Sequence, residues 1–179
     1  MPAFSATFGA YNVQGSFNQW FVTNITSNGI PAWMPSARVV FDWSKENPLI
    51  SGHSGHAFSL NHLPDTEILV TQGKAVDNGT AGTFKAGQVE VGCWVDKQYA
   101  GNSVNLRLRQ MRDMVSRILQ QNNSFQLTNI YASTATAPPT TALVRLNGIE
   151  FQPPQADSFN PDIWRVRGIV NYSWVERNG

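Results

Sequence analysis

"GTFKAGQVEVGCWVD", residues 82–96, holds three glycines in fifteen positions, at 82, 87 and 92. Two readings compete for it. A glycine-rich loop between a strand and a helix N-terminus cradles phosphate with its backbone N–H groups. A strand with turn-prone residues in front of it has no such chemistry. From Val89 the residues alternate, with Val89, Val91, Cys93 and Val95 on one face and Glu90, Gly92, Trp94 and Asp96 on the other. A period of two marks a half-buried strand. Gly82 and Gly87 then lead into a strand and not into a helix. The chain contains neither GxxxxGK[ST] nor GxGxxG. The stretch therefore reads as a strand with Cys93 inward and Trp94 on the opposite face.

Working outward, residues 102–123 carry one apolar stripe, Val104, Leu108, Met111, Val115, Ile118 and Leu119, at helical spacing, with Asn102 or Ser103 as the N-cap. Residues 11–28 carry a second stripe, Val13, Phe17, Trp20 and Phe21, stopped by Gly29 and Pro31. Gly15 and the β-branched Val22, Thr23, Ile25 and Thr26 weaken this helix, so it must rely on packing. Strands are expected over 36–43, 56–63, 66–73, 124–134 and 142–151, with Pro64-Asp65 as a turn and a break at Gly148. Residues 44–55, 75–82, 135–142 and 152–162 read as loops and turns. The chain's best-patterned strand is the last. Trp164, Val166, Gly168, Val170, Tyr172 and Trp174 share one face, with Arg165, Arg167, Asn171 and Ser173 mostly on the other. Runs of strands separated by single helices predict an α+β fold, a mostly antiparallel sheet with two helices packed on one face.

The 179 residues suit a single domain over 1–179. Charged residues make up 14%, against about 25% on average, and the net charge is +1. Nothing global draws the chain to nucleic acid or to anionic lipid. One cysteine, Cys93, excludes an intrachain disulfide and a cysteine-based metal site. The first seventeen residues lack a signal-peptide pattern, and no apolar run reaches membrane length, so a reducing cytoplasm is the expected setting. Four Asn-x-Ser/Thr sequons carry no weight there.

Three constellations bear on chemistry. His53, His56 and His62 fall within ten residues and could hold zinc with an open position. No HExxH pattern accompanies them and no acid lies between them. Their other readings are polar residues beside a loop and a pH-sensitive contact. A small metal-dependent hydrolase built on this cluster is the enzymatic alternative. Cys93, alternating with valines, reads as a buried and inert thiol, since a nucleophile needs a lowered pKa and partial exposure. GxSxG is absent, so no catalytic, metal or cofactor site is assigned. The arginines are the third feature, nine against four lysines. Arg107 and Arg112 flank the apolar stripe of the second helix. Arg109 and Arg117 lie nearer its opposite face, with Asp113 four positions from each, and Arg165 and Arg167 sit on the last strand. A solvated helix face, a protein contact and a nucleic-acid contact all fit them, because the guanidinium fork suits both ion pairs and interfaces. Of the six tryptophans, Trp94 lies away from the valine face. Core packing, an interface and a glycan-binding groove are its readings.

The order of these features resembles the tail terminator, or tail-completion, proteins of long-tailed bacteriophages. The features are an N-terminal helix, "IPAWMPSARVVF", "GTFKAGQVEVGCWVDKQYAG" joining strand to amphipathic helix, and a last strand "WRVRGIVNYSWVE". The likeness runs from about residue 11 to 175 and rests on order and spacing. Residues 44–80 and 134–160 read as insertions relative to shorter members. The resemblance implies an α+β fold and a non-enzymatic virion structural protein without cofactors. It implies a homohexameric ring that caps the tail tube and then receives the head. Its partners would be copies of itself, the tube protein, the head–tail connector or neck proteins and, in a sheathed tail, the sheath protein, with DNA passing through the ring without sequence-specific binding. Arg107, Arg109, Arg112, Arg117, Arg165, Arg167 and Trp94 are the interface candidates. Another neck protein is the nearest alternative.

Overall fold

The computed structural model describes residues 10–27, 34, 39–41, 55–71, 82–127 and 143–177. In chain order they form α1 (Ala10–Ser27), β1 (Val39–Phe41), β2 (His56–Thr71), β3 (Gly82–Asp96), a short α2 (Lys97–Ala100) leading through a 3-10 turn (Gly101–Ser103) into α3 (Val104–Gln121), then β4 (Ser124–Gln126), β5 (Leu143–Phe151), β6 (Gln155–Ala156) and β7 (Ile163–Arg177). The strands make one sheet in the order β1-β2-β3-β7-β5-β4, with β6 also on β7. Every pairing is antiparallel except β1 with β2. The fold is α+β.

β3 answers the opening question. It pairs with β7 along its whole length, from Gly82 opposite Arg177 to Asp96 opposite Ile163. Gly82 and Gly87 are therefore inside the strand, not in front of it. Two of the three glycines make room for rings. A Cβ at Gly87 would lie 2.7 Å from Cζ of Tyr172 on β7, and a Cβ at Gly92 would lie 2.7 Å from Nε1 of Trp94 and closer still to Oγ of Ser59. The aromatic ring replaces the missing side chain as cover for the strand.

β2 is one strand where two were expected. Pro64 and Asp65 do not turn the chain; the register with β3 shifts between Leu63 and Ile68. A proline has no N–H for the ladder, and an irregularity is where a sheet tolerates it. Gly148 does not break its strand either; β5 runs through it, and its φ of 115°, which favours glycine, falls within the register shift between Leu146 and Ile149. Within the stretches 44–80 and 134–160, residues 56–71 and 143–151 form β2 and β5, both interior to the sheet order. The loop expected over 152–162 contains β6, held on β7 through Gln155 with Arg165 and Ala156 with Trp164. Of the strands expected over 36–43 and 124–134, Val39–Phe41 and Ser124–Gln126 are strand. Residues 128–134, the turns at 75–81 and 135–142, the loop at 44–54 and the stop at Gly29 and Pro31 lie outside the described residues.

Both helices pack on the valine face. The six-residue stripe of α3 is buried in full. It joins Val89, Val91, Cys93 and Val95 of β3 and Val166, Val170, Tyr172 and Trp174 of β7 in one core. α1 binds that core at two distant places. The Phe17 ring stacks on Trp20 at 5.4 Å and lies 6.1 Å from Phe125 of β4, while Phe21 meets Phe58 of β2 edge-on at 5.4 Å. β2 and β4 are separated by three strands in the sheet order, so the sheet curls for one helix to touch both. The helix ends are tied as well. The Asn122 amide donates to Asn24 Oδ1 at 3.2 Å, and the Asn24 amide donates to the Trp20 carbonyl at 2.8 Å. The capping expected of Asn102 or Ser103 falls elsewhere. Asp96, the last residue of β3, accepts from the Gln98 N–H at 2.8 Å, and Ser103 makes no side-chain cap to α3.

Candidate functional site

An α-helix packed on a sheet shows its opposite face to solvent. On α3 that face is Leu106, Arg109, Asp113 and Arg117, all exposed, with Arg112 exposed on one flank and Arg107 half-buried on the other. The spacing from the core stripe places them there. Arg107 donates to Gln110 Oε1 at 3.1 Å. Arg112 stands over the Phe151 ring of β5 at 5.7 Å. Beside them Asn105, Leu108, Arg109, Arg112, Pro154 and Val166 line an open cleft of about 260 Å³. Its floor is apolar, Leu108 and Val166, and its rim carries the two guanidinium groups.

The other sheet face holds the remaining candidates, Trp94 buried and Arg165 and Arg167 half-buried. Trp94 is 1% exposed, clustered with Ala57 and Ile163. Its indole N–H donates to Ser59 Oγ at 2.8 Å, and Arg165 lies over the ring at 5.3 Å. The side expected for Trp94 is right, but the residue offers no surface of its own. Arg167, with about a third of its side chain exposed, is tied to the same face. It pairs with Glu90, which is 5% exposed, through Nη2 and through Nε at 2.9 Å. A carboxylate removed from water needs such a partner. Thus the helix arginines and the strand arginines do not form one patch; α3 and the helix-bearing face lie between them.

The histidines do not converge. His56 and His62 stand on one continuous β2, opposite Val95 and Val89 of β3. Six residues of strand separate them by about 20 Å, whereas zinc ligands sit about 2 Å from the ion. His56 and His62 therefore cannot ligate one ion together, against the zinc alternative; His53 lies outside the described residues. His56 is buried, and burial, reinforced by the Arg107 charge and opposed by Asp96, holds its pKa below the ordinary 6.5. Among the described residues no group of His, Cys, Asp and Glu is arranged to hold a metal ion. Cys93 is buried, and desolvation, opposed by Arg112, pushes its thiol up to about 12. No described helix is long and apolar enough to cross a membrane.

Two exposed aromatics escaped the sequence reading. Phe159 is 89% exposed and Tyr99 is 68% exposed. Phe159 had a signal. It sits in "DSFNPD", between residues that build turns, where a phenylalanine has no strand or helix face to fill.

No family model matches the chain, and no curated protein matches it in sequence. Its fold does recur among solved structures. One such chain, 11% identical, superposes with a TM-score of 0.55 over 94% of this chain and 96% of its own length. A likeness at that identity shows the fold alone. It spans nearly the whole of both chains.

Proposed function

We propose that the chain is a phage tail terminator, a virion structural protein whose work is assembly: a homohexameric ring that closes the tail tube and receives the head. The observation that carries this reading is the outward face of α3, where exposed Arg109, Arg112 and Arg117 stand beside exposed Leu106. Four of the chain's thirteen Lys and Arg residues fall on this one helix, between Arg107 and Arg117. Arginine together with exposed apolar surface is the composition of a protein contact. The reading is also supported by the helix, long strand, helix and last strand among the described elements. β2, β3 and β7 run 16, 15 and 15 residues, about 50 Å, while α1 and α3 at 18 residues span about 27 Å. One helix length therefore does not match the strands it packs on.

The test is electron microscopy of tails assembled with and without the protein. Tails lacking it should lose length control and fail to join heads. Tails of normal length that still join heads would sink the proposal.

A further inference from the structure

The turn that carries Phe159 is built to present it. The Asp157 carboxylate accepts from the backbone N–H of Phe159 at 3.3 Å and of Asn160 at 3.2 Å, and Asn160 Oδ1 accepts from the Asp162 N–H at 3.0 Å. Both ends of the turn are anchored, through Asp157 N–H to the Ile163 carbonyl at 2.7 Å and Lys97 N–H to the Asp162 carbonyl at 2.8 Å. A large apolar side chain held in water by a fixed backbone loses little freedom when it binds. The α3 cleft has the complementary form. Its volume of about 260 Å³ exceeds the roughly 150 Å³ of a cavity that accepts benzene. Leu108, Val166 and Pro154 offer apolar contact, and Arg109 and Arg112 stand where cations can lie against a ring. Phe159 does not fill the cleft of its own chain, being 89% exposed, and β6, between Pro154 and the turn, is pinned to β7.

We propose that Phe159 of one copy seats in the α3 cleft of a second copy. Turn and cleft are different surfaces, so the contact is heterologous, the type that generates a ring when its rotation closes. The inference rests on the ring-forming reading above and names the contact that would build the ring.

Two measurements on the full-length chain test it. In sedimentation equilibrium, self-association of the wild-type chain should weaken about tenfold or more in Phe159→Ala, a change at an exposed side chain, and equally in Asn105→Trp, which fills the cleft. In disulfide trapping, the double variant Phe159→Cys with Asn105→Cys should give a ladder of linked multimers. A mixture of the two single variants should stop at dimers. Absence of the ladder, or association unchanged in Phe159→Ala, would overturn the contact. Tail imaging separates the two claims. A ladder with tails indifferent to the protein removes the terminator reading and keeps the contact, whereas tails that need the protein without a ladder do the reverse.

Discussion

Gly92 has Ser59 on one side and the Trp94 indole on the other, and a methyl group there would meet Ser59 Oγ and, at 2.7 Å, Trp94 Nε1. Neither group can swing away, since the indole N–H is bonded to that same hydroxyl. Gly92→Ala is expected to destabilise the fold by about 1–3 kcal/mol, read from the urea midpoint, the cost of overpacking a filled site. One residue on, Cys93 faces the helices with its thiol pushed up to about 12. It should resist a thiol reagent in the native state and react at once in denaturant; rapid native labelling would count against the burial. His56 makes stability depend on pH. The unfolded chain takes up a proton near 6.5, while the folded one takes it up only at lower pH. Between those values the unfolded state binds more protons, so stability is fully present above 6.5 and is lost as pH falls toward the folded value. His56→Gln should flatten that part of the profile in thermal melts at stepped pH.

At the scale of elements, α1 is where packing overrides propensity. Its glycine and β-branched residues give it little helical preference. It is held by aromatic contacts to two strands far apart in the sheet, Phe125 of β4 and Phe58 of β2. Phe17 is 0% exposed and touches the rings of Trp20, Phe21 and Phe125. Phe17→Ala should cost about 3–5 kcal/mol in denaturant unfolding, a large share of the roughly 5–15 kcal/mol of a whole domain. Loss well under 1 kcal/mol would mean that α1 does not close the curled sheet.

For the whole molecule, the reading by assembly separates function from stability. Arg109 and Arg117 are exposed and face away from the core stripe of α3. Glutamate at both positions sets like charges on either side of Asp113 and should cost about 1–2 kcal/mol, leaving the chain folded. The same pair should abolish incorporation into tails, because a like charge set against a matched patch is repelled. Co-sedimentation of the variant with purified tails, beside its thermal melt, checks both halves. Incorporation at the wild-type level would exclude this face of α3 from the contact.

The alternation of Val89, Val91, Cys93 and Val95 and the helical stripe from Val104 to Leu119 determined which faces are buried, since burial of a strand or helix face imposes its period on the sequence. That was enough for two helices on one face of a mostly antiparallel sheet, and for α3 as the carrier of outward arginines. What folding alone decided was what each residue meets across the sheet. Gly87 looked like a turn signal because the ring that covers it, Tyr172 on β7, is distant in sequence. Pro64 looked like a turn because a bulge is defined by the partner strand. Trp94 looked available for partners because nothing local records Ser59 and Arg165 beside it. The histidines looked like a cluster because closeness along the chain says nothing of closeness in space once the strand is extended. Periodicity is a local record of burial; pairing is a contact between strands, and only the folded chain brings those strands together.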